Sequence, residues 1–201
     1  MTALSRRRFL FLAPGLIAAS SSLARADVGD DPYRLPAMSP KNFPPEVRRT
    51  VVNYQSKQFP GTLIVDTSEK HLYLTLEGGK AVRFGIAVGK DGFRWAGMAD
   101  VARKVMWPKW TPPKEMIERK PELAKWRDGM PGGPENPLGA RALYLFRDGR
   151  DTMYRIHGTN DPTSIGKAAS SGCIRMFNDD VIELYRRTPI GARVLVYSDK
   201  V

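Results

Sequence analysis

Short runs in which apolar and polar residues alternate, separated by turn-forming residues, recur through most of this chain and restrict it to a fold built from strands. Residues 62–66 (Thr-Leu-Ile-Val-Asp) read as one strand and residues 71–76 as the next, with Leu72, Leu74 and Leu76 on one face. Glu77-Gly78-Gly79-Lys80 closes a hairpin that returns as a third strand over 81–88. Beyond a turn at Lys90-Asp91-Gly92-Phe93, further strands are predicted over 101–106, 141–146, 152–156 and 193–197. Helix is predicted in three places: 47–58, near 113–120, and 179–187, the last with Asn178 as its cap and Asp179 and Asp180 in its first turn. His71 falls opposite the leucines, where a lone histidine belongs to a solvated face. With no βαβ alternation and no internal repeat, the pattern specifies a mostly β domain, a sandwich or partly open barrel with short helices.

The first 26 of the 201 residues stand outside that domain. Ser5-Arg6-Arg7-Arg8-Phe9-Leu10 opens a basic region, an apolar run continues to Ala19, and Ala24-Arg25-Ala26 has the form of a cleavage site. Paired arginines followed by Phe9 and Leu10 read as a twin-arginine export signal. The apolar run is about half of the roughly 20 residues that span a bilayer, so a signal is favoured over an anchor. Cleavage after Ala26 releases the chain into the periplasm or an equivalent compartment, with no membrane span remaining. Residues 27–60 hold six prolines and read as a tail or strap, and residues 61–201 as the folded domain. The excised segment carries four arginines and no acidic residue, which leaves a net charge of +7 from the +11 of the whole chain. That surplus suits polyanions in general, yet export and the lack of any helix-turn-helix, zinc-finger or aromatic ribonucleoprotein pattern exclude nucleic acid.

A single cysteine in an oxidising compartment has no internal disulfide partner, so Cys173 is either inert and buried or kept for chemistry. It lies 16 positions after His157, one of two histidines, in the stretch HGTNDPTSIGKAASSGCIRM. A thiol is a good nucleophile as thiolate, and an imidazole that takes its proton is the common way to make one. Gly158 and Gly172 flank the two side chains and permit close backbone approach or positive φ. Serine catalysis through Ser170 or Ser171 is the weaker alternative, because a hydroxyl needs a more strictly placed base. One cysteine and two histidines are too few for a structural metal site, and no cofactor is called for. Residues 107–139 hold seven prolines, four glycines, Trp107, Trp110 and Trp126. So long an irregular segment reads as a lid or binding loop, with Trp110 a candidate for substrate contact; the alternative is that its tryptophans plug the edge of the core.

The stretch from His157 to Met176 closely resembles the signature of the L,D-transpeptidases of the YkuD family, in which HGT is followed by SxGCIR. Asn136-Pro137-Leu138-Gly139 and the run of tryptophans and prolines over 107–113 extend the likeness, which covers about residues 61–196. The resemblance implies a YkuD-like β-sandwich with its active-site loop at one end. It makes Cys173 the nucleophile and His157 the base, the imidazole oriented by a carbonyl near Gly158, with the Gly172 and Cys173 amides lining an oxyanion hole. Most members carry histidine where this chain has Ser171, so His157 is the only base the motif offers. Arg175 matches a position that supports the site or a substrate carboxylate, although a structural salt bridge is an equal reading. The implied partners are peptidoglycan tetrapeptide stems, with a second stem, an outer-membrane lipoprotein lysine or water as acyl acceptor. A non-catalytic wall-binding module is the reading from another class.

Overall fold

The computed structural model describes residues 31–35, 42–89, 96–170 and 172–197. The segment read as an export signal, the turn predicted at residues 90–93 and Ser171 lie outside them. Among the described residues no helix is long and apolar enough to cross a membrane.

The strands are β1 Thr50–Asn53, β2 Leu63–Asp66, β3 His71–Leu76, β4 Lys80–Gly85, β5 Val88–Gly89, β6 Gly97–Met106, β7 Arg141–Arg147, β8 Arg150–His157, β9 Ala168–Ser170, β10 Ile174–Arg175 and β11 Arg193–Tyr197. The helices are α1 Lys114–Arg119 and α2 Asn178–Arg187. Nine strands join in one sheet of order β1-β4-β3-β2-β11-β6-β7-β8-β10, and β5 pairs with β9 separately. Laid flat at about 4.8 Å per strand, the two ends of such a sheet would stand roughly 40 Å apart. Instead Leu72, Leu74, Val82 and Phe84 from one half share a single buried cluster with Leu143, Leu145, Ile156 and Ile174 from the other. The sheet therefore folds over its own core, and the two layers of the expected sandwich are halves of one continuous sheet. α2 adds Val181 and Leu184, three residues apart on one face, to the same cluster.

Three local expectations are corrected. Residues 47–58 are not a helix: after one 3-10 turn at Pro45–Val47 the chain becomes β1, paired antiparallel to β4 from Thr50↔Arg83 to Asn53↔Lys80. The β-branched run Thr50-Val51-Val52 suits an extended backbone, and pairing at the sheet edge decides the matter. His71 is not on an open face, because the segment before β1 covers it and its Nε2 meets the Glu46 carbonyl at 3.0 Å. Asn178 does not cap α2; Phe177 occupies that position and the asparagine side chain is engaged elsewhere. The segment that covers His71 also buries Val47 in a satellite cluster with Ala87, Ile165 and Phe177, while Phe43 packs on Phe177 with ring centroids 4.7 Å apart. It thereby braces both Ile165, between His157 and Cys173, and Phe177, just beyond the cysteine.

Candidate active site

Strand periodicity brings the site together. β8 and β10 run parallel, with Ile156 opposite Ile174 and His157 opposite Arg175. Both isoleucines are fully buried in the core, so by alternation His157, Arg155, Arg175 and Cys173 share the other face. Extending the register by one residue beyond Ile174 and Ile156 sets Cys173 opposite Arg155. The charges of Arg155 and Arg175 act on both the thiol and the imidazole, which places all four side chains in one neighbourhood.

His157 ends β8 and is only 4% exposed. Its Nδ1 lies 2.6 Å from the Gly158 carbonyl, and the Leu138 carbonyl also approaches the ring. Burial lowers its pKa to about 4, with the Arg175 charge adding to the shift and the two carbonyls opposing it. The imidazole is therefore neutral at pH 7, able to take a proton at Nε2 when Nδ1 donates to Gly158. The small residue at 158 is needed for packing rather than for positive φ: a Cβ there would collide with Asn178 Oδ1. The amide of Gly158 is used within the sheet, bonded to Arg141 at 3.0 Å, so it is not a donor to an oxyanion. Asn178 is the clamp behind this corner. Its Oδ1 accepts from the amides of Ala140 (3.0 Å) and Thr159 (3.2 Å), and its Nδ2 donates to the Thr159 carbonyl at 2.9 Å.

Cys173 sits one residue before β10, and its Sγ approaches the Met153 carbonyl at 4.0 Å. Burial raises its pKa, while a hydrogen bond from the Arg155 backbone and the charges of Arg155 and Arg175 pull the other way. The resting state is thus a protonated thiol and a neutral imidazole on the same face of the sheet. Gly172 has φ +127°, a conformation that side chains other than glycine's strain to adopt, and it turns the chain just before the thiol. Arg175 pairs through its backbone with Ala87, at 2.9 Å in both directions. Among the described residues its guanidinium takes part in no ion pair, so the salt-bridge reading of this residue lacks a partner, and Asp161 acts on it only at longer range. Trp110 lies in the irregular segment, its backbone bonded to Met130 in both directions at 3.0 and 2.6 Å. That segment is stitched rather than loose. Asn136, fully buried, donates to the carbonyls of Pro108, Met130 and Pro131 and accepts from Leu138. Trp107 is buried and meets Tyr33 edge-on at 4.7 Å, the core-plug alternative for that residue.

Asn178 and Arg155 escape a reading of the sequence. The pairing of β8 with β7 shifts register between Tyr144 and Phe146, within which Met153 takes φ +64° and is 72% exposed. Asp151 organises this bulge: its carboxylate accepts from the Met153 amide at 2.8 Å and from both terminal nitrogens of Arg155 at 2.7 and 2.8 Å. An acid four residues before an arginine is a helix-like spacing, so nothing in a strand context signals that the two would meet.

Comparison with known proteins identifies the family. The family model for the L,D-transpeptidase catalytic domain, YkuD, matches residues 60–196. A Fuscovulum blasticum protein whose name places it among the L,D-transpeptidases is 33% identical over 188 residues, 89% of this chain and 95% of its own. A solved Brucella melitensis structure, named as a probable carnitine operon oxidoreductase, is 46% identical with a TM-score of 0.53 over 78% of this chain and 97% of its own. An L,D-transpeptidase structure from Mycobacterium smegmatis, 16% identical, shares the fold with a TM-score of 0.50 over 68% of this chain and 58% of its own. The chain belongs to the YkuD family of L,D-transpeptidase catalytic domains.

Proposed function

We propose that this chain is a cysteine-dependent acyltransferase that acts on peptidoglycan tetrapeptide stems in the periplasm after export. The observation that carries the reading is the common face of β8 and β10, which Cys173 shares with a buried, neutral His157. A neutral imidazole and a protonated thiol suit general-base attack, in which the proton moves as the S–C bond forms. Sulfur adds to the carbonyl at the L-centre of the third stem residue while the thiol proton passes to His157. The amides of Gly172 and Cys173 stabilise the resulting oxyanion, and Arg175 supplies positive charge beside it. Collapse breaks the C–N bond, His157 returns the proton to the departing amine of D-alanine, and a thioester remains. An acceptor amine then attacks the thioester and gives a proton to His157, which hands it to the leaving thiolate.

The stitched segment over 107–139 favours transpeptidation over hydrolysis, since an amine acceptor has to be held where water is excluded. A second diaminopimelate side chain as acceptor makes a 3→3 cross-link, and a lipoprotein lysine makes a wall attachment. The test is incubation of the mature protein with disaccharide-tetrapeptide, followed by product masses. Cross-linked dimer with release of D-alanine supports the proposal. Tripeptide alone at high acceptor concentration makes it a carboxypeptidase, and no product at all makes it a binding module.

A further inference from the structure

The thiol is flanked by two guanidiniums whose situations differ. Arg175 stands opposite His157, on the side where the departing amine has to receive its proton. Arg155 lies the other way along β8, towards the Met153 carbonyl that the thiol faces. A substrate whose leaving group points at His157 therefore extends its acyl half towards Met153 and Arg155.

Arg155 is built to be rigid there. Its Nη1 and Nη2 grip the two oxygens of Asp151, at 2.7 and 2.8 Å, and Nη1 also donates to the Tyr154 carbonyl at 2.9 Å. The guanidinium stacks over the Tyr144 ring at 4.2 Å, and Arg103 covers the same ring at 4.8 Å, a row that runs across β8, β7 and β6. These contacts consume the end of the fork. They leave its side, Nε–H and the second Nη2 hydrogen, with no acceptor among the described residues. A planar pair of parallel N–H donors is the shape that binds a carboxylate in bidentate fashion. Asp151 also lines a groove of about 470 Å³ with Arg147, Asp148, Arg150 and Thr152, and the Met153 side chain next in sequence is exposed.

We infer that Arg155 is a specificity-determining residue whose open side-on fork binds the carboxylate at the distal centre of the diamino acid in the third position of the acyl donor, so that the site selects a dicarboxylic diamino acid over lysine. The third residue carries the attacked carbonyl, so its side chain is the one that starts at the thiol and reaches along the Met153 wall. The inference rests on the acyl-transfer reading above. Asp151 is the positioning residue that aims the fork.

The test compares D-alanine release from two synthetic tetrapeptides that differ at the third residue, meso-diaminopimelate against lysine, for the wild type, Arg155→Met, Arg155→Lys and Asp151→Asn. A bidentate ionic contact predicts that the wild type prefers the diaminopimelate donor by about ten- to hundredfold in kcat/KM, a ratio that collapses towards one in Arg155→Met. Arg155→Lys, which keeps the charge and loses the fork, retains a small part of the preference, and Asp151→Asn reduces it to an intermediate value. Melting curves of the three variants separate loss of fold from loss of selectivity. Equal rates for the two donors in the wild type would overturn the assignment, as would an equal loss on both donors in a folded Arg155→Met. A collapse seen only when the second residue of the donor is amidated would move the contact to that residue and overturn it too. Release of D-alanine from neither donor by the wild type is a separate result, since it removes the acyl-transfer reading on which the assignment depends.

Discussion

His157 and Cys173 are held by structures of very unequal strength. The imidazole closes an eight-residue strand that pairs with β7 on one side and β10 on the other, is fixed at Nδ1 by a carbonyl, and is backed by the three hydrogen bonds of Asn178. The thiol stands just outside a two-residue strand at the edge of the sheet, after a left-handed glycine. The difference teaches which partner is preset and which adjusts. On the proposed mechanism the base waits neutral and oriented, and the nucleophile, held by fewer contacts, is the partner that has to turn from the Met153 carbonyl to the substrate.

The largest effect expected from breaking this pair is at the nucleophile. Cys173→Ala and Cys173→Ser both abolish acyl-enzyme formation and leave the melting temperature close to that of the wild type. A hydroxyl lacks the ready ionisation of a thiol, whose unperturbed pKa is about 8.5. Alanine-variant activity equal to wild type would remove the nucleophile from the account. Next comes His157→Ala, with acylation slowed by roughly 10²- to 10⁴-fold. Histidine introduced at position 171 of that variant does not restore the rate, because the side chain enters the loop at a different point; full rescue would reassign the base. The depressed pKa of His157 sharpens this further. Its neutral form is the active one, so kcat/KM should hold as pH falls through 6.5 and fail only near pH 4. An acid limb centred near 6.5 would mean that the ring is not buried as described.

The smaller effects test the unequal support itself. Asn178→Ala strips acceptors from two partly buried amides, for a loss of about 2–3 kcal/mol in denaturant melts, and loosens the corner behind His157. The rate should fall about tenfold, on the basis that a small displacement of a positioned base is costly, with the acid limb moving up as water reaches the ring. An unchanged pH profile would show that Asn178 serves stability alone. The least expected change is at Asp180, on the first turn of α2. Arg49 lies 3.6 Å away, yet that guanidinium is 44% exposed, and burial with Asp179 and Glu183 nearby outweighs it, raising the carboxyl to about 6. A carboxyl whose pKa rises on folding loses stability as pH climbs from its ordinary value near 3.8 through 6. Asp180→Asn should therefore stabilise the fold by about 2–3 kcal/mol more at pH 8 than at pH 4. His157 has the opposite sign: the unfolded chain binds its proton first, so about 3 kcal/mol is lost as pH falls from 6.5 to 4. The two nearly cancel in the wild type, and Asp180→Asn should unmask the acid-side loss.

The sequence makes legible what is encoded within a few residues. Alternation places most strands, and the Cys173 and His157 motif announces its chemistry because thiol, imidazole and glycines all lie in one short stretch. What stays hidden is settled by partners far along the chain. Asn178 has the local look of a helix cap, but the amides it serves belong to Ala140 and Thr159, 38 and 19 residues away. Residues 50–53 become a strand because β4 offers an unpaired edge, a fact absent from their own neighbourhood. Arg155 becomes visible only once β7 brings Tyr144 beneath it and a bulge turns Asp151 to meet it. Arg175, by contrast, shares the face of Cys173 by its spacing alone, since residues two apart in a strand return to the same side, although the pairing that sets it opposite His157 depends on β8.

The most direct measurement is intact-protein and peptide mass spectrometry of the mature protein quenched during reaction with a tetrapeptide donor in the absence of an acceptor. The account predicts an adduct equal to the donor less D-alanine, labile to hydroxylamine, carried on the peptide that contains Cys173 and absent from Cys173→Ala. Release of D-alanine by the alanine variant, or an adduct mapped to any other residue, would contradict it.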